Sequence, residues 1–207
     1  MLHRAYSYRK TTDPACALKY STKSLALLSP YPLHKSSDPF LALSRLHGAL
    51  LIHELGTLPE PTSIQEQETR NTKVDETCHA TARVVSGVCE DRIFCFGHPV
   101  RGVALAELGK LLCVDVSPNA PGSNGTGLES YGWSRIPRGT ARLQLAAQIL
   151  ARAQKELEIG FGKDADVGKG VRKMLTDLER EVGAWRKIER ITTLQKLGNV
   201  GGGDFAE

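Results

Sequence analysis

From Asp38 onward, apolar residues in this chain recur every three or four positions, and the runs are interrupted at intervals by proline and glycine. That period lines up one face of an α-helix and conflicts with the two-residue alternation of a half-buried strand. The chemistry of the core follows the same line: of 207 residues, 41% are apolar but only 6% aromatic. Alanine, leucine, lysine and glutamate dominate the last two thirds, which favours helix over strand. The expected fold is all-α, with antiparallel helix pairs around an aliphatic core.

The helix boundaries are written in caps and stops. Asp38-Pro39 starts a first helix, with Phe40, Leu43, Leu46 and Leu50 on its inner face, His47 and His53 on or beside it, and Gly56 as a left-handed stop. The box "SIQE" places Ser63 and Glu66 where each can satisfy an orphan amide of a second helix. Its later half carries Cys78, Ala82, Val85, Val88, Cys89 and Ile93 at helical spacing. His98-Pro99 repeats the grammar of Asp38-Pro39, and "LGKLL" at 108–112 echoes "HGALL" at 47–51. Gly109, inside that helix, costs about 1 kcal/mol relative to alanine, so it is expected to let a neighbouring helix come close. Such repetition suggests a solenoid-like stack.

A long loop is expected over 116–139, rich in proline, glycine, serine and asparagine. The helix that follows should turn Leu143, Ala146, Ala147, Leu150, Ala153 and Leu157 inward, and end at Gly160 and Gly162 with Phe161 folded back. Asp164 or Asp166 can cap a last helix, whose stripe runs through Val171, Met174, Leu175, Leu178, Val182, Trp185 and Ile188 and extends to Leu194 and Leu197. The helical domain therefore spans 38–197, with 198–207 as a flexible tail.

Residues 1–37 hold six lysines and arginines against the lone Asp13, and read as a disordered basic segment. The same bias fits a mitochondrial targeting segment, although Pro14, Pro30 and Pro32 interrupt a long amphipathic helix. No secretory hydrophobic stretch stands at the N-terminus, so an intracellular location, in cytoplasm or nucleus, and reduced thiols are expected. No run approaches the roughly 20 apolar residues of a membrane span. The net charge of +4 is mild, and its basic residues alternate with acids in the C-terminal half. Neither nucleic acid nor membrane is an expected partner.

Motifs for chemistry fall short. "GKDADVGK" at 162–169 has five residues between its glycines where a P-loop has four. A calcium loop beginning at Asp164 would place Leu175 where glutamate must stand. Cys78, His79, Cys89, Cys95, His98 and Cys113 could supply zinc ligands, but only Cys95 and His98 share a turn, and Cys89 and Cys113 lie on apolar helix faces. The cysteines are read as core, and no metal, cofactor or catalytic residue is expected.

"GHPVRGVALAELGKLLCVD", "RLQLAAQILARAQKELEIGFG" and "VGKGVRKMLTDLEREVGAWRK" together resemble the C-terminal helical region of fungal SET-domain proteins related to the MYND-and-SET lysine methyltransferases. The resemblance covers about Gly97 to Lys187 and continues, divergently, back to Asp38. It implies a tetratricopeptide-like bundle that places substrates or partners. The Asn-His-Ser-Cys-type segment and catalytic tyrosine that would bind S-adenosylmethionine and the lysine amine are missing, as are the MYND zinc cysteines. The expected function is a non-catalytic helical module for a protein or peptide partner. The alternative is a fragment of, or a partner to, a SET-domain methyltransferase, as a truncated relative or an incomplete gene model would leave. Tyr131 and Trp133, in the 116–139 loop, are the expected partner-binding residues, with the helix that starts near Thr140.

The helical phase is itself testable. Leu108→Asp should bury an unpaired charge and cost upwards of about 4 kcal/mol, whereas Lys110→Asp should stay within about 0.5 kcal/mol, both measured by urea denaturation.

Overall fold

A computed structural model describes residues 13–28, 38–89, 94–114 and 136–200. Among them are six helices and no strand: α1 (Pro14–Leu28), α2 (Asp38–Thr57), α3 (Ile64–Val88), α4 (Pro99–Cys113), α5 (Thr140–Phe161) and α6 (Asp166–Val200). Each packs mainly on its neighbours in sequence. The all-α reading holds.

Caps explain several of the boundaries. Ser63 accepts from the Glu66 amide at 3.2 Å, while the Glu66 carboxylate reaches one residue further back, to the amide and hydroxyl of Thr62. His98 caps α4, its Nδ1 accepting from the Val100 amide at 3.3 Å, and Pro99 takes the first turn. Gly162, at φ 90°, stops α5 in a conformation that L side chains avoid. Two stops differ from expectation: α2 passes through Gly56 to Thr57, and Gly160 lies inside α5.

The N-terminal segment is a correction. Part of the stretch expected to be disordered, Pro14–Leu28, is helix, and its Ala17, Ser21, Ser24 and Leu25 are buried. The serines that read as linker composition fit this face, because Ser21 and Ser24 donate back to the carbonyls of Leu18 and Tyr20. Asp13-Pro14 also repeats the start signal of α2 and α4. The Asp13 carboxylate accepts from the Cys16 amide at 3.0 Å, which holds its pKa below the usual range.

The main core joins α3, α4, α5 and α6 with the end of α2. Leu105, Leu108, Leu112, Leu150 and Leu157 are fully buried in it, while Lys110 stands on the surface beside Glu107. The second half of α3 is buried almost all round, because α2 packs on one side and α4 on the other. Its Thr77 and Thr81 hydroxyls are satisfied by the carbonyls one turn earlier. Arg142, which is not among the inner-face residues expected for α5, is 5% exposed and ties three helices together. It donates to Asp75 at 2.7 Å, to the Leu112 carbonyl at 3.1 Å and to the Cys78 sulfur at 3.5 Å. One of the carbonyls left open at the C-terminus of α4 is thereby satisfied. In α6, Val171, Leu178 and Val182 are buried and Met174, Leu175 and Trp185 half-buried, as the stripe predicts.

Two glycines set the closeness of α4 and α5. A Cβ on Gly109 would lie 2.6 Å from Leu150 carbons, and one on Gly102 would lie 2.7 Å from Leu157 Cδ2 and 3.1 Å from its amide nitrogen. Both pairs are separated by seven residues, so two turns of each antiparallel helix meet at nearly backbone distance. Gly183, by contrast, has nothing within 4 Å. Gly183→Ala should therefore stabilise the protein by up to about 1 kcal/mol. Gly109→Ala should destabilise it by about 1–3 kcal/mol despite the better helix propensity. Opposite shifts of the urea midpoint check the pair.

Candidate functional site

Because α2 and α4 both lie on α3, the space above α3 between them is a groove, with a volume of about 370 Å³. Its floor is Thr81, Val84 and Val88 of α3. The α2 wall is made of small residues, Gly48 and Ala49, with Ile52 beyond them, and the α4 wall of Val100, Val103 and Ala104. Small side chains on facing helices leave room that larger ones would fill. Charge stands on the two walls alone, as Arg45 of α2 and Glu107 of α4, and Glu107 is already paired with Lys110 at 3.0 Å.

One end of the groove is closed by Pro99 and by Phe161 from the end of α5. A buried ion pair brings that end into place. Glu156 is fully buried and accepts from the Gly97 amide and from Arg101 Nε at 3.2 Å, with the second Arg101 nitrogen at 3.0 Å. Arg101, 2% exposed, also donates to the Phe94 carbonyl at 2.9 Å. The turn before α4 is thus fastened to α5, with Gly97 at φ 83° and its carbonyl against Gly160. Here a side chain on Gly160 would meet that oxygen at 2.5 Å. Phe96 lies over the Arg101 guanidinium, 5.8 Å from ring centroid to carbon.

Around this junction the molecule exposes large apolar side chains: Val103 at 40%, Phe161 at 49%, Phe96 at 56% and Ile159 at 61%. Single exposed apolar residues are ordinary; of these four, Val103 and Phe161 line the groove. Phe161, expected to fold back onto its own helix as a cap contact, is half-exposed and lines the groove instead. Tyr131 and Trp133 lie outside the described residues, while the helix expected with them does begin at Thr140. The sequence signal for the groove was faint. Val103 falls outside the inner stripe of α4, and Gly48 and Ala49 read as ordinary helix positions.

The cysteine and histidine residues have other duties. Cys78 is buried, and burial pushes its thiol up to about 11 despite the Arg142 guanidinium. Burial likewise raises Cys113 to about 11, with the Glu181 carboxylate adding to it, and its Sγ–H donates to the Gly109 carbonyl. Burial also raises Cys89. His98 uses Nδ1 as the α4 cap and stacks at 4.6 Å on Phe94. Among the described residues no three histidine, cysteine, aspartate or glutamate groups gather to hold a metal. None of the helices there is long and apolar enough to cross a membrane.

Neither a scan against protein-family models nor a search of curated proteins finds a match to this chain.

The thiols separate by environment, which alkylation reads directly. At about pH 8 a thiol of pKa near 11 is roughly 0.1% thiolate, so Cys78 and Cys113 should remain unmodified by iodoacetamide while the exposed Cys95 reacts. Peptide mass mapping checks the order. Early loss of Cys78 would mean that α3 opens readily.

Proposed function

We propose that this chain is a non-catalytic helical protein-interaction module whose groove between α2 and α4 receives an apolar helical segment of a partner protein. The observation that carries the reading is the groove itself, whose floor and walls are mostly small or aliphatic and whose charges stand on opposite sides. From Arg45 to Ile52 the α2 wall runs seven residues, about 10 Å or two helical turns. That length suits a partner helix presenting apolar side chains at i, i+3 or i+4, and i+7. Arg45 is exposed and has no ion pair among the described residues, so a carboxylate on the partner complements it.

The succession of helices, each packed on the next, agrees with a tetratricopeptide-like stack, and α2 and α4, which share the "HGALL" and "LGKLL" grammar, are the two walls. On the resemblance to accessory helices of MYND-and-SET-related proteins, the module would serve, or be a piece of, a SET-domain protein-lysine methyltransferase. In-frame SET-domain exons in the transcript would favour that second reading.

A displayed library of short helical peptides, selected on the protein, tests the groove. Selection should return peptides with an apolar i, i+3/i+4, i+7 stripe and an acidic residue beside it. Val103→Asp, at a position exposed enough to leave the fold intact, should weaken their binding by tenfold or more, which is about 1.4 kcal/mol. Arg45→Glu should shift the preference from acidic to basic peptides. Full binding by a normally folded Val103→Asp protein would remove the groove from the function.

A further inference from the structure

The helix α1 is held differently from the rest of the domain. Its Ala17 forms a small cluster with Leu46 and Leu50 of α2, joined by the half-buried Leu18 and Tyr20, and this cluster is separate from the main core. Across the same contact, Ser21 Oγ lies 3.0 Å from His47 Nδ1, with Ser21 fully buried and His47 8% exposed. The Ser21 hydroxyl has one proton and donates it to the Leu18 carbonyl at 2.8 Å. Its oxygen therefore accepts from Nδ1–H, and the neutral ring keeps its lone pair on Nε2.

A second proton on Nε2 would put a full charge into this contact, and the surroundings do not compensate it. Between Pro14 and Leu28 there is no acidic residue, so α1 brings only Lys19 and Lys23. On α2, Glu54 is engaged by Lys73 at 3.3 Å. The charged groups facing the ring from α3 are Arg83, which opposes protonation, and Glu76, which favours it but is itself within 3.5 Å of Lys73.

We propose that the Ser21–His47 contact is an acid-sensitive latch that holds α1 on α2 at neutral pH and releases it when His47 takes up a second proton. Burial, with Arg83, holds the docked ring below the ordinary imidazole range, while a released ring returns to about 6.5. The docked state thus binds fewer protons than the released one below about pH 6.5. The docking constant is flat above that pH and falls by up to about tenfold per pH unit beneath it, until the docked ring titrates too. Release uncovers Leu46 and Leu50 on the side of α2 that α1 covers.

Hydrogen exchange on the full chain at about pH 7.5, 6.5 and 5.5 tests the latch, with protection factors for 14–28 referred to those for 140–161. In the wild type, protection of 14–28 should change by no more than about twofold between the upper two values and fall by up to about tenfold overall at the lowest, with 140–161 unchanged. His47→Gln, whose amide can still donate to Ser21 but does not titrate, should abolish the fall. If His47→Gln releases α1 already at pH 7.5, Arg83→Gln decides. Removing the like charge raises the docked pKa, so a smaller fall supports the latch and an unchanged one overturns it. The latch is also overturned if 14–28 tracks 140–161 at every pH, if it lacks protection at neutral pH, or if His47→Gln keeps the full pH dependence.

Discussion

The close approach of α4 and α5 is the constraint on which the rest of the molecule depends. Gly102 and Gly109 admit Leu157 and Leu150 at distances no Cβ would allow, and the buried Arg101–Glu156 pair fastens the end of the contact. Burying two charges costs several kcal/mol, and here it is offset by the multiple hydrogen bonds each group makes, to the Gly97 amide and the Phe94 carbonyl as well as to each other. Sliding one helix along the other by a turn would part Glu156 from both partners and leave buried charge unpaired, at about 3–5 kcal/mol. Glycine packing sets how near the helices lie, and the ion pair sets their register.

The groove follows from that register. Fastening the 94–98 turn to α5 carries Phe161 to the end of the groove and keeps Val100 and Val103 along one wall, while the small residues of α2 hold the other wall open. At the far end of the same α4–α5 contact, Arg142 gathers Asp75, Cys78 and the Leu112 carbonyl, so α3 is secured as the floor. Helix α1 is joined to α2 by a satellite cluster and, among the described residues, by the buried Ser21–His47 hydrogen bond.

Caps and helical period are local properties, and they were legible in the sequence. Ser63 before Glu66, His98 before Pro99, the inner stripes of α4, α5 and α6, and Gly109 as a point of close approach were all read from spacing and residue chemistry. Each depends on residues within a turn or two of one another, or on a single helix face. The start of α1 carried the same Asp-Pro signal, but the serines and lysines around it read as a tail. Only burial against α2 makes those serines part of a helix face.

What tertiary structure alone decided is where polar groups of distant segments meet. Glu156 and Arg142 sit at positions that a one-faced helix would turn to solvent, yet both are buried, because α5 is covered on more than one side. Their partners lie 55 and 67 residues away, at Arg101 and Asp75, a separation that no periodicity encodes. The groove has the same origin, since it is a space between α2 and α4 that exists only once α3 has brought them side by side. By itself the sequence determined the class and phase of each helix, because helix formation is local. Which faces meet, which charges are enclosed and where a surface stays open depend on packing between helices far apart in the chain.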